Sequence, residues 1–223
     1  MRFNEQGRSM IEMLGVLAIV GVLSVGGIAG YSKAMNKFKT NKLIEQINMI
    51  STNVRTLYAS QKDYSGLYNG TAIKTGVLPN EMVGTSAASA TAGSAGKSDL
   101  IINAFAGSVY IAPGAVTDDE EAGAFLIGVD KIPEASCVSI VTTEWGGDAG
   151  GGLLNIAVKT GADSAAPTAA EVAGLLEDVV DESTDNADDD ATFSVKDGGL
   201  PVSVVQASTV CGGAANAIAW KYM

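Results

Sequence analysis

The strongest constraint in this sequence is a run of twenty residues, 13–32, without a charged side chain. At a rise of about 1.5 Å per residue, a helix of that length spans about 30 Å, the thickness of the hydrocarbon core of a bilayer. A secretory signal also has an apolar middle, but this run is longer than usual and lacks a small-x-small cleavage motif at its end. It therefore predicts a membrane helix. Gly26 and Gly30 form a small-xxx-small pair that permits close helix approach, although glycines are frequent in membrane helices generally.

One acid stands at the start of that run. Glu12 is an ionisable group at the mouth of an apolar helix, where it is costly unless a cation meets it. It follows Gly7 in the sequence Gly-Arg-Ser-Met-Ile-Glu. This glycine, this acid and the apolar run together resemble the class III signal of type IV prepilins. The resemblance implies that a prepilin peptidase cuts between Gly7 and Arg8. Arg8 departs from the apolar first residue usual in the family, which leaves N-methylation open.

Over the whole chain the resemblance is to type IV pilins of the type IVb or PilS-like kind, and it implies an α+β fold. In that fold one long N-terminal helix packs on a small C-terminal domain that contains an antiparallel β-sheet and a disulfide. The implied division is a leader peptide at 1–7, a membrane and filament-core helix at 8–32, an amphipathic helix at 33–60 and a globular domain at 61–223. The resemblance also implies a variable, surface-exposed connection at 61–103.

Charge is distributed unevenly along the chain. Residues 1–62 contain eight Lys and Arg against three Asp and Glu, whereas the remainder contains six bases against 22 acids. An acidic surface repels nucleic acid, so direct nucleic-acid binding is not expected. Four lysines follow the apolar run, although positive charge normally marks the cytoplasmic end of a membrane helix. They are Lys33, Lys37, Lys39 and Lys42.

The two cysteines, Cys137 and Cys211, lie far apart in the part of the chain that the resemblance exports. An oxidising compartment makes a disulfide between them the expected state. The alternative is a nucleophilic or metal-binding thiol. It is disfavoured because the chain contains no histidine to activate a thiol or to share a metal.

Residues for catalysis or cofactor binding are scarce. The chain has no GxSxG motif, and the glycine-rich stretch 146–152 lacks the lysine and spacing of a phosphate-binding loop. We therefore expect no enzyme activity and no cofactor. An acidic stretch could bind calcium through Asp185, Asp188 and Asp190, but it lacks the glycine and closing glutamate of an EF-hand. A solvated acidic loop is the favoured interpretation.

Periodicity and turn residues predict the order of the remaining elements. Apolar residues at three- and four-residue steps extend the first helix from about Ser9 to about Ser60. A capping box at Thr168 and Glu171 begins a helix that is predicted to reach about Asp181. Other helical segments are predicted at 72–76 and 133–142, and strands at 108–112, 124–129, 153–158, 192–195, 202–205 and, as a last edge strand, within 211–223.

The leading hypothesis from these features is a major pilin, the structural subunit of a type IV pilus. Glu12 of one subunit would pair with the N-terminal amine of its neighbour. The expected partners are identical subunits in a helical filament, the prepilin peptidase, the assembly machinery and the inner membrane before export to an extracellular pilus. Alternatives are a minor pilin, a type II secretion pseudopilin, or a periplasmic protein held by one uncleaved helix. Glu12 argues against the last, since a lone anchor has no use for it.

Overall fold

The structure is a computed structural model that describes residues 10–85, 91, 101–116, 122–145, 152–161, 168–176, 190–194 and 202–223. The chain divides into two units, Met1–Phe38 and Lys39–Met223. The described part of the first unit is entirely helical. The second unit contains a β-sheet with helices and is called the domain below. Helix α1, Met10–Tyr58, contributes to both units.

The part of α1 within the domain is amphipathic, as predicted. Leu43, Ile47, Ile50 and Val54 are completely buried and recur at steps of four, three and four residues. This spacing brings them onto one face of the helix, which packs against the sheet. The helix ends at Tyr58, two residues before the predicted end.

The domain contains an antiparallel sheet with the strand order β1-β2-β5-β3-β4. Four of its strands agree with predicted strands, with ends that differ by at most three residues. The strands are β1 Val109–Gly114, β2 Ala124–Ile132, β3 Leu153–Thr160, β4 Asp190–Ser194 and β5 Asn216–Tyr222. The fold is therefore the predicted α+β arrangement of a long helix on an antiparallel sheet.

The last strand is the centre of the sheet, and the prediction that it lies at an edge is wrong. Strand β5 pairs with β2 on one side and with β3 on the other, and Trp220 lies opposite both Ile127 and Ile156. All seven residues of β5 are buried. A strand covered on both faces and paired on both edges needs an almost continuous apolar sequence, and Ala-Ile-Ala-Trp provides it.

The short helices connect and cover the sheet. They are α2 Asn69–Thr75, the 3₁₀ helix Asn80–Met82, α3 Glu134–Val141, α4 Ala169–Gly174 and α5 Val204–Val210. Helix α4 begins with the predicted capping box of Thr168 and Glu171. Backbone and side-chain hydrogen bonds from Thr168 lower the pKa of Glu171, since they stabilise its charged form. Helix α4 ends at Gly174, with Leu175 as its C-terminal cap, so it is shorter than the predicted helix to about Asp181; residues 177–181 lie outside the described residues.

A strand was predicted at 202–205, but this segment begins helix α5. Ser203 caps the helix by accepting a hydrogen bond from the Gln206 backbone, while the Gln206 side chain accepts one from the Ser203 backbone. This capping box fixes a helical start despite the β-branched Val204 and Val205, which are exposed.

The two faces of the sheet carry different side chains. Large residues such as Phe125, Ile127 and Trp220 pack with α1 and with the buried disulfide in the main core cluster. On the other face, small residues including Ala157 and Ala219 pack with α4. Because alternate strand residues point to opposite faces, this division follows the sequence pattern.

Candidate assembly segment and the disulfide-closed domain

The N-terminal unit leaves its apolar side chains exposed. Every large apolar residue of 10–38 that the structure describes, apart from the partly buried Met35, is between 50% and 81% exposed. Helix α1 is long and apolar enough to cross a membrane by length and composition. A soluble monomer rarely exposes so many consecutive apolar side chains, since contiguous apolar patches normally mark a protein or membrane interface. We call residues 10–38 the assembly segment.

Glu12 lies in the first turn of α1 as described and is exposed. Within the described residues it has no hydrogen-bond or ion-pair partner. Gly7 and Arg8, the predicted processing site, lie outside the described residues. The structure therefore presents Glu12 as a lone acid on an apolar helix.

The glycines of the assembly segment have no role in packing within the described chain. A Cβ atom added at Gly26 or Gly30 would meet no atom within 4 Å, and the same holds at Gly15, Gly21 and Gly27. Glycine in a helix interior costs about 0.8–1 kcal/mol relative to alanine. Close approach of a second helix is one interaction that would offset this cost in an apolar medium.

The cysteines form the predicted disulfide, which closes the domain. Cys137 in α3 is bonded to Cys211 at the C-terminal cap of α5, with a Cα–Cα distance of 5.8 Å. Both are completely buried in the main core cluster. The chain has no free cysteine, so a reactive or metal-binding thiol is excluded in this state.

The possible calcium ligands lie largely outside the described residues. Asp185 and Asp188 lie outside the described residues, and Asp190 begins β4, where only its backbone is described. Elsewhere in the described part of the chain, no three His, Cys, Asp or Glu residues are grouped to hold a metal ion. Glycine-rich residues 146–151 are also outside the described part.

The connection 61–103 is more deeply buried than the resemblance implied. Leu67, Ala72, Met82 and Ile101 have no exposed surface. The expectation of surface exposure is therefore wrong for much of the described part of this segment, because its apolar side chains complete the main core cluster.

Asn69 was not identified from the sequence, yet it ties this connection to the sheet. Its side-chain Nδ2 donates to the Val109 carbonyl at 2.9 Å, and its Oδ1 accepts from the Ile111 N–H at 2.7 Å. The side chain is buried, with 2% of the residue exposed. It satisfies two backbone groups on the side of β1 that faces away from β2. An asparagine among turn residues gave no signal of this role.

Asp130 is a second buried polar residue that the sequence did not reveal. Its carboxylate accepts hydrogen bonds from the backbone N–H groups of Ser108, at 2.7 Å, and Ala169, at 3.2 Å. It lies at an irregularity in the pairing of β2 with β5. Asp130 therefore joins the start of α4 to the sheet, in a structural role.

Comparison with known proteins gives consistent matches. Residues 37–222 match the protein family described as PilS N terminal. The chain is 26% identical over 152 residues, 68% of its length and 72% of the relative's, to the major structural subunit of the bundle-forming pilus of Escherichia coli O127:H6. The same values hold for the protein of that name from Escherichia coli O111:H-.

Two solved structures are also similar. A type IV b pilin from Salmonella typhi has a TM-score of 0.48 and 19% identity, and the match covers 82% of this chain and 98% of that one. TcpA, a type IV pilin from the Vibrio cholerae El Tor biotype, has a TM-score of 0.48 and 16% identity, with coverage of 83% and 99%. Because the family match extends over most of the chain, the chain belongs to the PilS family and is a type IV pilin.

Proposed function

We propose that this chain is the major structural subunit of a type IV pilus filament. The observation that carries the proposal is the assembly segment, whose apolar side chains the folded chain leaves exposed. Apolar surface of this extent has to be covered by a bilayer or by other apolar helices to stay out of water. A bilayer and a bundle of apolar helices are similar solvents for this segment. The subunit is therefore stored in the membrane and transferred to a filament at small net cost.

The proposal includes the steps before assembly. A prepilin peptidase removes leader residues 1–7 and creates an α-amino group on Arg8. The subunit resides in the inner membrane until the assembly machinery transfers it to a filament on the bacterial surface. The acidic, disulfide-closed domain then faces outward, which favours solubility of the filament.

The pairing of Glu12 with a neighbouring N-terminal amine sets how far adjacent subunits are staggered along the filament. Glu12 has no partner within the described residues, and burial of a lone carboxylate among apolar helices is costly. The α-amino group of Arg8 on the next subunit provides a cation at a single stagger. Any other stagger leaves both charges unpaired, so the pair favours one register while apolar contact provides the affinity.

The test compares Glu12→Ala and Glu12→Gln with the wild type and with Glu45→Gln. Glu45 is an exposed acid of the same helix within the domain, so it controls for the loss of one charge. Removal of one member of a buried pair costs on the order of 3–5 kcal/mol, which corresponds to roughly 10²–10³-fold or more at each contact. We expect normal amounts of subunit in the membrane fraction, but few or no surface filaments, in both Glu12 variants.

The outcomes separate the alternatives. Normal filament numbers in both Glu12 variants would show that Glu12 is not an assembly contact. Electron microscopy of cells that lack the chain tests the major-subunit role itself, because a major subunit is required for every filament. Persisting filaments would instead indicate a minor pilin or a pseudopilin.

A further inference from the structure

The four lysines after the apolar run fall into two pairs. Lys39 lies over the ring of Phe105, 6.0 Å from its centroid, and Lys42 forms an ion pair with Glu81 at 3.1 Å. Hydrogen bonds from Gln46 and from Lys42 lower the pKa of Glu81. These two lysines are therefore engaged within the domain.

Lys33 and Lys37 differ from that pair. Both are exposed, and neither has a hydrogen-bond or ion-pair partner among the described residues. They are four residues apart in α1, so their side chains lie on one face of the helix. Among the described residues, Lys33 and Lys37 are thus two neighbouring cations that form no ion pair and are open to an anion from outside the domain.

The position of these lysines matches the depth of lipid headgroups. If residues 13–32 fill the hydrocarbon core, Lys33 and Lys37 lie about 1.5 and about 7.5 Å beyond it along the helix. The polar layer on each side of a bilayer is about 5–7 Å thick. Tyr31, which is 67% exposed, lies at the boundary where aromatic rings favour the interface. Lys33 therefore lies within the polar layer and Lys37 at its outer edge, and both long side chains can reach phosphate groups.

N-terminal to the lysines, towards the bilayer core, the same helix face carries no bulky side chains. It continues through Gly30 and Gly26, where an added Cβ atom would meet nothing within 4 Å. Without side chains at these positions, an acyl chain can lie flat against the helix while its headgroup contacts the lysines. Positive charge normally lies at the cytoplasmic end of a membrane helix, whereas these lysines lie at the other end. Contact with lipid phosphates would explain why they are there.

We infer that Lys33 and Lys37 bind the headgroups of anionic phospholipids in the outward-facing leaflet of the inner membrane. The site holds the stored subunit at a fixed depth. This inference rests on the proposed function, because it requires the assembly segment to lie in a bilayer before assembly. An acidic surface of a second subunit is the competing partner.

The experiment measures lipid preference in the full chain with Tyr31→Trp as reporter. The chain is reconstituted in phosphatidylcholine vesicles that contain phosphatidylglycerol, and one of the two lipids carries brominated acyl chains that quench nearby tryptophan fluorescence. Trp145 and Trp220 are buried in the domain and give a constant background. The ratio of quenching by the two brominated lipids reports the preference for the anionic lipid around the helix.

We expect the reporter protein to prefer phosphatidylglycerol by up to about fivefold per lysine at low salt. Lys33→Gln/Lys37→Gln should abolish this preference. Lys39→Gln/Lys42→Gln, which removes the same charge, should retain it. High salt should weaken the preference in the reporter protein, since exposed charges are screened.

Other outcomes would overturn the inference. An equal loss in both double variants would show a general charge effect without a site. No preference in vesicles, combined with loss of filaments in cells that carry Lys33→Gln/Lys37→Gln, would assign the lysines to the acidic surface of a second subunit. Flotation of the vesicles checks insertion separately. A chain that does not float with them would contradict the membrane state itself, and with it this inference.

Discussion

Replacement of Asn69 by alanine should loosen the connection between the long helix and the sheet. Strand β1 is at the edge of the sheet and pairs with β2 on one side only. On its other side, the carbonyl of Val109 and the N–H of Ile111 are satisfied by the Asn69 side chain. Asn69→Ala removes both hydrogen bonds and leaves the two buried backbone groups without the partners they have in the wild type.

The expected loss follows from these two bonds. A buried donor or acceptor left without a partner costs about 1–3 kcal/mol, so two such groups cost about 2–6 kcal/mol. A domain of this kind has a total stability of about 5–15 kcal/mol, so the loss would be a substantial part of it. Asn48→Ala is the matched control. Asn48 is exposed on α1, and its substitution should change stability by no more than about 0.5 kcal/mol.

Urea unfolding of the oxidised protein, followed by the fluorescence of the buried tryptophans, measures the effect. Hydrogen exchange at the Ile111 amide provides a local readout, because this N–H loses its acceptor in Asn69→Ala. Asn69→Ala and Asn48→Ala could instead unfold at the same urea concentration, with exchange at Ile111 unchanged. In that case the Asn69 hydrogen bonds to β1 do not stabilise the domain, and the reasoning is wrong.

Two further predictions concern covalent features of the chain. The disulfide joins residues separated by 74 positions, and closure of such a loop is worth about 4–5 kcal/mol in the chain-entropy account. Reduction should therefore lower the urea midpoint substantially, and an unchanged midpoint would contradict this. Mass spectrometry of subunit from native cells should find Arg8 as the first residue, with or without a methyl group. A start at Met1, or beyond Ser24, would contradict prepilin processing.

Features that depend on neighbouring residues were predictable from the sequence. The long helix follows from apolar residues at three- and four-residue steps, and the capping box at Thr168 follows from side chains three positions apart. The disulfide needed only the count of two cysteines and an exported domain. The helix and the capping box are each specified by residues close together in the sequence. The disulfide is specified by the only two cysteines in the chain.

Features that depend on distant pairing were not predictable. The apolar residues around Trp220 indicate a buried strand, but they do not identify β2 and β3 as its neighbours in the sheet. The error at α5 has a different cause. The Ser203 and Gln206 pair was present as a helix signal, but the adjacent valines favoured a strand. At the candidate site, the sequence singled out Glu12 because it is an acid at the start of an apolar helix, but the residue that pairs with it is not evident from one chain.

The central position of β5 constrains the order in which the domain can form. Strands β2 and β3 are joined through β5, so the two halves of the sheet remain separate until residues 216–222 are available. Cys211 lies just before this strand, and its bond to Cys137 closes the same part of the fold. The apolar helix precedes all of these residues in the sequence. The apolar helix can therefore form before the domain is complete, whereas the centre of the sheet and the disulfide both depend on the last residues of the sequence.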